Sequence, residues 1–212
     1  MSKIIFYTNP MSRGQIARWA LHEAGAEYEQ VLLKYGETGK GGMKSPEYLA
    51  VNSMGKVPAI VDAEHVVTEC AAICAYLAVR FAAKKLAPKD DERANYYRWM
   101  FFGAGPLESA VTNKALGFEV AADKEMMAGY GNYDRVIDAL AAHFDANDYV
   151  CGDRFTMADV YIGSHIVWGQ EFGTVTPKPS FSAYAERLTQ REAYRAAKEI
   201  DAKLIAAAQA EG

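Results

Sequence analysis

The sequence predicts an α/β domain over residues 1–83 followed by an all-helical domain over residues 89–212. Three observations carry this division. Strand and helix patterns alternate as far as Phe81; a charged stretch with Pro88, from Lys84 to Glu92, then interrupts them; beyond it the apolar residues recur at helical spacing.

Lys3 to Tyr7 is a short apolar run that reads as a buried strand, and Asn9-Pro10 breaks it. From Arg13 to Ala24, Ile16, Ala17, Ala20, Leu21 and Ala24 fall at helical spacing, and Gly25 supplies the stop. Tyr28 to Leu33 is a second strand. A strand, helix and strand of this length make a right-handed crossover with parallel strands. Lys34 to Lys44, rich in Gly and Lys, reads as an exposed loop, and Ser45-Pro46 opens a short helix that ends near Val51. The runs after Pro58 and after Glu64 are joined closely enough for an antiparallel hairpin. A helix from Glu69 to Phe81 closes the domain.

Pro58 stands just before its strand. Proline has no N–H and cannot pair on both sides of a central strand, so a fixed bend is predicted there, with a cis Val57–Pro58 bond. Such a bend leaves the Val57 backbone free to pair with a ligand that is itself a peptide.

In the second domain, Tyr133, Val136, Ile137, Leu140 and Phe144 share a helix face, and Pro106 predicts a kink in the first long helix. Thr156-Met157-Ala158-Asp159 reads as a capping box, with Phe155 and Val160 placed as a hydrophobic staple. The alanine-rich segment from Arg191 to Gln209 reads as helical.

Half of the 212 residues are hydrophobic, ample for a core. A net charge of −4 offers no basic footprint, so neither nucleic acid nor an anionic membrane is an expected partner. No apolar run approaches the roughly 18 residues of a membrane span. The chain begins as a strand, without a signal-peptide core, and its three cysteines form no Cys-x-x-Cys pair. A cytoplasmic location follows as the expectation. His22, His65, His143 and His165 lie far apart and show no metal-ligand spacing, so no metal is expected.

Four segments in order carry a resemblance. Tyr7-Thr8-Asn9-Pro10-Met11-Ser12-Arg13-Gly14 is similar to the first strand–helix loop of the cytosolic glutathione transferases. Asn52-Ser53-Met54-Gly55-Lys56-Val57-Pro58 is similar to their cis-proline segment. Thr68-Glu69-Cys70-Ala71-Ala72-Ile73 is similar to their acid–serine helix start, with cysteine where serine is usual. Val150 to Asp159 is similar to their C-terminal capping-box segment. The Ser-Arg-Gly-Gln…Trp run most resembles a bacterial and fungal serine-type, theta-like branch. The resemblance implies a thioredoxin-like N-terminal domain, an all-helical C-terminal domain and a cytoplasmic homodimer. It implies a detoxifying transferase with glutathione as co-substrate and a small hydrophobic electrophile as partner.

The chemistry so implied is activation of a thiol. Free thiols have a pKa of about 8.5, so a hydroxyl donor, a cation and a helix N-terminus are each useful to the thiolate. Ser12 is the first candidate donor; its spacing to Gln15 also fits a capping box, which would leave it a structural role. Tyr7 is the rival donor, with packing between strand and helix as its other reading. Arg13 would be the cation, or simply an exposed arginine. Val57 would exchange backbone hydrogen bonds with the cysteinyl part of glutathione, with Pro58 setting its geometry. Glu69 would meet the γ-glutamyl ammonium and the Cys70 segment its carboxylate, with only a weak S–H donor in place of a hydroxyl. Lys40 and Lys56 would reach the glycyl carboxylate. Met11, Tyr97, Phe101 and Trp168 are candidate walls for the electrophile, together with Met100, Phe102 and Phe172. Two further readings remain: a glutathione-dependent peroxidase or reductase, and a non-catalytic binding module on the same fold. A thiol–disulfide mechanism on the protein itself would want a cysteine in the first loop, and there is none.

Overall fold

Strand β1 (Ile4–Thr8) buries Ile4, Phe6 and Thr8 and half-buries the residues between them, the alternation of a strand covered on both faces. A computed structural model describes residues 3–210 of the chain. Helix α1 (Gly14–Ala24) follows β1 and ends where Gly25 takes a φ of 61°, a left-handed conformation that glycine adopts without penalty. The N–H groups of Gly25 and Ala26 return to the carbonyls of His22 and Leu21. Strand β2 (Tyr28–Leu32) lies parallel to β1, with Ile4 opposite Tyr28 and Thr8 opposite Leu32. After a loop and the short α2 (Pro46–Leu49), strands β3 (Ala59–Asp62) and β4 (His65–Thr68) form the antiparallel hairpin. The four-stranded sheet has the order β2-β1-β3-β4, and helix α3 (Cys70–Arg80) follows it. The loop from Lys34 to Lys44 is mostly exposed, but Met43 turns inward to pack with Leu33, Tyr48 and Ala59.

The second part of the chain holds α4 (Arg93–Phe102), a π-helical segment (Gly103–Leu107), α5 (Glu108–Ala115), α6 (Tyr133–Ala146), α7 (Met157–Glu171) and α8 (Pro179–Thr189). The kink expected at Pro106 takes the form of the π segment. The wider turn accommodates a residue with no N–H to give, so α4 and α5 run on without a break in the chain. The stretch between α5 and α6 is not α-helical; it holds one short 3₁₀ turn at Ala122–Lys124, and Gly117, Gly129 and Gly131 deny it helix propensity.

The capping box at the start of α7 forms as predicted. The Thr156 N–H donates to Asp159 Oδ2 at 2.7 Å, and Asp159 Oδ1 accepts from the Val150 N–H at 2.7 Å and the Tyr184 hydroxyl at 2.8 Å. Burial pushes the Asp159 carboxyl up to about 6, against the pull of these donors. The charged stretch ahead of α4 is less open than a linker. Leu86 is buried, and Glu92 accepts from the Lys89 N–H and pairs with Arg154, whose guanidinium also holds the Ala87 carbonyl. The hydrogen-bonded guanidinium of Arg154 holds the Glu92 carboxyl down to about 2.

By packing, the chain divides into two compact units: residues up to Leu86 together with those from Arg191 onward, and Ala87–Gln190. The last helix, α9 (Glu192–Ala210), thus joins the α/β unit, although the sequence places it with the helices before it. It lies on α1. Tyr194 meets the Trp19 ring edge-on at 5.0 Å, and Arg18 Nε donates to Asp201 Oδ1 at 2.9 Å. Both members of that ion pair are essentially inaccessible to solvent. Among the described residues no helix is long and apolar enough to cross a membrane.

Candidate active site

The sheet register sets where the site lies. Tyr7 of β1 stands opposite Ala59 of β3, and Ala59 stands opposite Thr68 of β4. The loop after β1, the segment before Ala59 and the start of α3 therefore emerge at one end of the sheet. These are the segments that the sequence singles out, and all three belong to the first unit.

The loop after β1 is tied down by its own polar groups. Asn9 Nδ2 donates to the Leu33 carbonyl at 2.8 Å, while its Oδ1 accepts from the Met11 N–H at 2.9 Å. The Ser12 hydroxyl donates to the Asn9 carbonyl at 2.6 Å and accepts from the Gly14 N–H at 2.9 Å. Gly14 must lack a side chain: a Cβ there would stand 2.0 Å from Thr8 Oγ1. The capping box expected between Ser12 and Gln15 does not form. Gln15 Nε2 turns instead to the Pro10 carbonyl at 2.6 Å, and the Ser12 N–H serves the Asn9 carbonyl at 3.1 Å. Ser12 still satisfies one orphan donor of the helix start, so it has a structural duty beside any chemical one. Arg13 is exposed at the head of α1.

Tyr7 is half-buried. Its ring lies 5.3 Å from that of Tyr48, against the cluster of Leu33, Met43, Tyr48 and Ala59. The Tyr7 hydroxyl makes no hydrogen bond among the described residues. Ser12 and Tyr7 thus differ in kind: one hydroxyl is engaged by the backbone, the other is unengaged on a packed ring.

Val57–Pro58 is a cis peptide bond, as the sequence predicts. Pro58 is buried and Val57 half-buried against the same cluster as Tyr7. The bonds that hold this segment go to its neighbours. The Tyr48 hydroxyl and the Asn52 amide both donate to the Lys56 carbonyl, and the Gly55 N–H donates to Asn52. Val57 lies outside the β3 ladder, which starts at Ala59. Burial raises the Tyr48 hydroxyl to about 12, so it remains a neutral donor to Lys56.

Glu69 is the residue before α3, exposed and at φ 63°, ψ 123°. A non-glycine residue there carries backbone strain, which is found most often at functional positions. Cys70 is 8% exposed, and its thiol points at the Arg13 carbonyl at 3.5 Å. That contact ties the start of α3 to the loop after β1. It also leaves the helix backbone N–H groups as the donors available to an anion. Lys40 and Lys56 are exposed, with no ion pair among the described residues. Lys44, which the sequence does not single out, donates to the Met54 carbonyl at 2.9 Å.

Of the apolar candidates, Met11 is 60% exposed beside Ser12 in the first unit. In the second unit Tyr97 and Phe101 are exposed on α4, and Trp168 is half-buried on α7. Met100, also considered as a wall, is core at 4% exposure. Asn9 and Lys198 go unrecognised in the sequence as residues that shape the loop, and Gln15 reads there only as a capping-box partner of Ser12. Asn9-Pro10 gives one usable signal, because an asparagine after a strand commonly bonds the backbone two residues on, as Asn9 does to Met11.

The family follows from comparison with known proteins. Residues 2–79 match the family model of the glutathione S-transferase N-terminal domain, and residues 119–168 match that of the C-terminal domain. The chain is 28% identical to glutathione S-transferase 3 of Zea mays over 92% of its own length and 93% of that protein's. Among solved structures, the theta class glutathione S-transferase of Xanthomonas axonopodis pv. citri, with glutathione bound, superposes with a TM-score of 0.76. It is 27% identical, over 93% of this chain and 97% of that one. BphK, a bacterial transferase solved as a ternary complex, gives a TM-score of 0.76 at 26% identity, over 93% and 99% of the two chains.

Proposed function

Because the chain belongs to the glutathione S-transferase family, we propose that it joins the thiolate of glutathione to the electrophilic carbon of a small hydrophobic molecule. The observation that carries this reading is the convergence at one end of the sheet of the Ser12 loop, the Val57–Pro58 bend and the strained Glu69. Glutathione is a short peptide, and each part of it finds a complement there. Val57 lies beyond the strand ladder and is suited to pair with the cysteinyl backbone. Glu69 suits the γ-glutamyl ammonium, and the first N–H groups of α3 suit its carboxylate. Lys56, Lys40 and Arg13 add positive charge for the glycyl end and the thiolate. With the γ-glutamyl and cysteinyl parts so held, the thiol falls to the loop that carries Ser12. Ser12 donates to the thiolate and lowers its pKa, which raises the fraction of nucleophile at neutral pH. The conjugate forms as the sulfur attacks the electrophilic carbon and the leaving group departs with its electron pair.

Residues 89–212 carry the apolar surface for the electrophile, with Tyr97, Phe101 and Trp168 as its candidates. Residues 1–83 hold glutathione, the protein is a homodimer, and it works in the cytoplasm. Formation of a glutathione thioether from an activated aryl chloride, followed by mass spectrometry, tests the reading. Turnover well above the uncatalysed rate is expected. Saturable glutathione binding without turnover on any electrophile would favour the non-catalytic module instead.

A further inference from the structure

A path from α9 to the Ser12 loop runs through the side chains of Lys198 and Gln15. Lys198 Nζ donates to Gln15 Oε1 at 3.1 Å, and Gln15 Nε2 donates to the Pro10 carbonyl at 2.6 Å. The chemistry of the two ends fixes the orientation of the Gln15 amide. An ammonium can only donate and a carbonyl can only accept, so the amide must turn its oxygen to Lys198 and its nitrogen to Pro10. Pro10 has no N–H, which leaves its carbonyl as the backbone handle on that residue. Met11 next to it is held by Asn9 Oδ1 on its N–H and by the Tyr35 hydroxyl, at 3.2 Å, on its carbonyl.

We propose that Lys198 is a positioning residue of the thiol site, acting through Gln15 on the Pro10–Ser12 loop. The role in catalysis rests on the glutathione-transferase reading of that loop. Lys198 is well placed for it because α9 is seated by other residues: Tyr194 on Trp19, the buried Ala197, and Asp201 on Arg18. Loss of the ammonium removes one attraction on the Asp201 carboxylate but keeps the Tyr194 ring contact, the burial of Ala197 and the Arg18–Asp201 bond. It frees the Gln15 amide to rotate and releases the Pro10 carbonyl. The Pro10–Ser12 backbone then moves more freely and carries the Ser12 hydroxyl with it, and a donor that wanders stabilises a thiolate less than one held in place.

Lys198→Met and Gln15→Leu test this, with Lys198→Arg as the conservative control. The first readout is amide hydrogen exchange without any ligand. Exchange across Met11 to Gly14 is expected to quicken about tenfold in Lys198→Met and Gln15→Leu, the weight of one lost hydrogen bond. It stays near the wild-type rate in Lys198→Arg, and exchange within α9 is unchanged throughout. The second readout is the pKa of the glutathione thiol bound to each variant, expected to rise in the first two and to hold in Lys198→Arg. Wild-type exchange in the loop overturns the proposal, as does faster exchange in α9 itself, which would make Lys198 a mere seat for the helix. A faster loop with an unmoved thiol pKa also overturns it. If the wild-type chain binds no glutathione, the reading of the site fails separately, and the exchange arm still decides whether Lys198 braces the loop.

Discussion

Ser12→Ala is expected to lower kcat/KM for glutathione about a hundredfold, the usual weight of one preorganised donor to a developing anion. The pKa of the bound thiol should rise with it. The Ser12 proton is shared with the Asn9 carbonyl at 2.6 Å, so donation to a thiolate requires an exchange of partners. That exchange is cheap here. The Asn9 carbonyl keeps the Ser12 N–H at 3.1 Å when the hydroxyl turns away. The Gly14 N–H holds the Ser12 oxygen in place throughout. Alanine also orphans that N–H, at a stability cost of about 1 kcal/mol. Ser12→Thr separates the two effects, since it keeps both the cap and the donor and should retain most of the activity. Tyr7→Phe, by contrast, should change turnover by less than about threefold, because the Tyr7 ring is committed to packing on Tyr48. A large loss in Tyr7→Phe with a mild one in Ser12→Ala would reverse the assignment of donor.

Asp201→Ala should destabilise the first unit by about 3–5 kcal/mol, the cost of leaving a buried charge without its partner. Arg18 is wholly buried, and its Nη1 reaches the Tyr28 hydroxyl and Gln30 Oε1, both at 3.0 Å. Its guanidinium also lies over the Phe6 ring at 5.2 Å. These neutral contacts cannot replace a carboxylate. Burial raises the Asp201 carboxyl even with Arg18 and Lys198 beside it, so desolvation of this carboxylate outweighs their attraction. The double variant Arg18→Met, Asp201→Leu should therefore recover most of the loss, since apolar replacement of a buried pair is often neutral or stabilising. Urea unfolding of the two variants checks this. Equal losses in both would mean that the pair itself, rather than the unpaired charge, carries the stability.

The parts of the fold set by neighbours in sequence were legible there. The parallel crossover, the hairpin, the Gly25 stop, the cis bond before Pro58 and the Thr156–Asp159 box each depend on residues a few positions apart. Distant pairings were not. Arg18 reads as one charged position on an amphipathic helix until Asp201, far along the chain, folds onto it. For the same reason the allegiance of α9 to α1 has no local signature, because an alanine-rich helix docks wherever its small face fits. Gln15 misled by spacing: a residue three after a serine fits a capping box, but Lys198 and the Pro10 carbonyl compete for its amide and win. Pro106 signalled a break but not its form, since a proline alone does not say whether a helix bends, ends or widens. The site segments were legible as segments. The state of each hydroxyl and thiol within them was not, because it depends on which backbone carbonyl lies in reach.

The central claim is that this end of the sheet holds glutathione and makes its thiol a nucleophile. Titration of the chain with reduced glutathione, with the thiolate ultraviolet band followed against pH, tests it most directly. The account predicts saturable binding and a bound-thiol pKa at least one unit below the free value of about 8.5. No binding at millimolar glutathione, or a bound thiol that titrates like the free one, would contradict it.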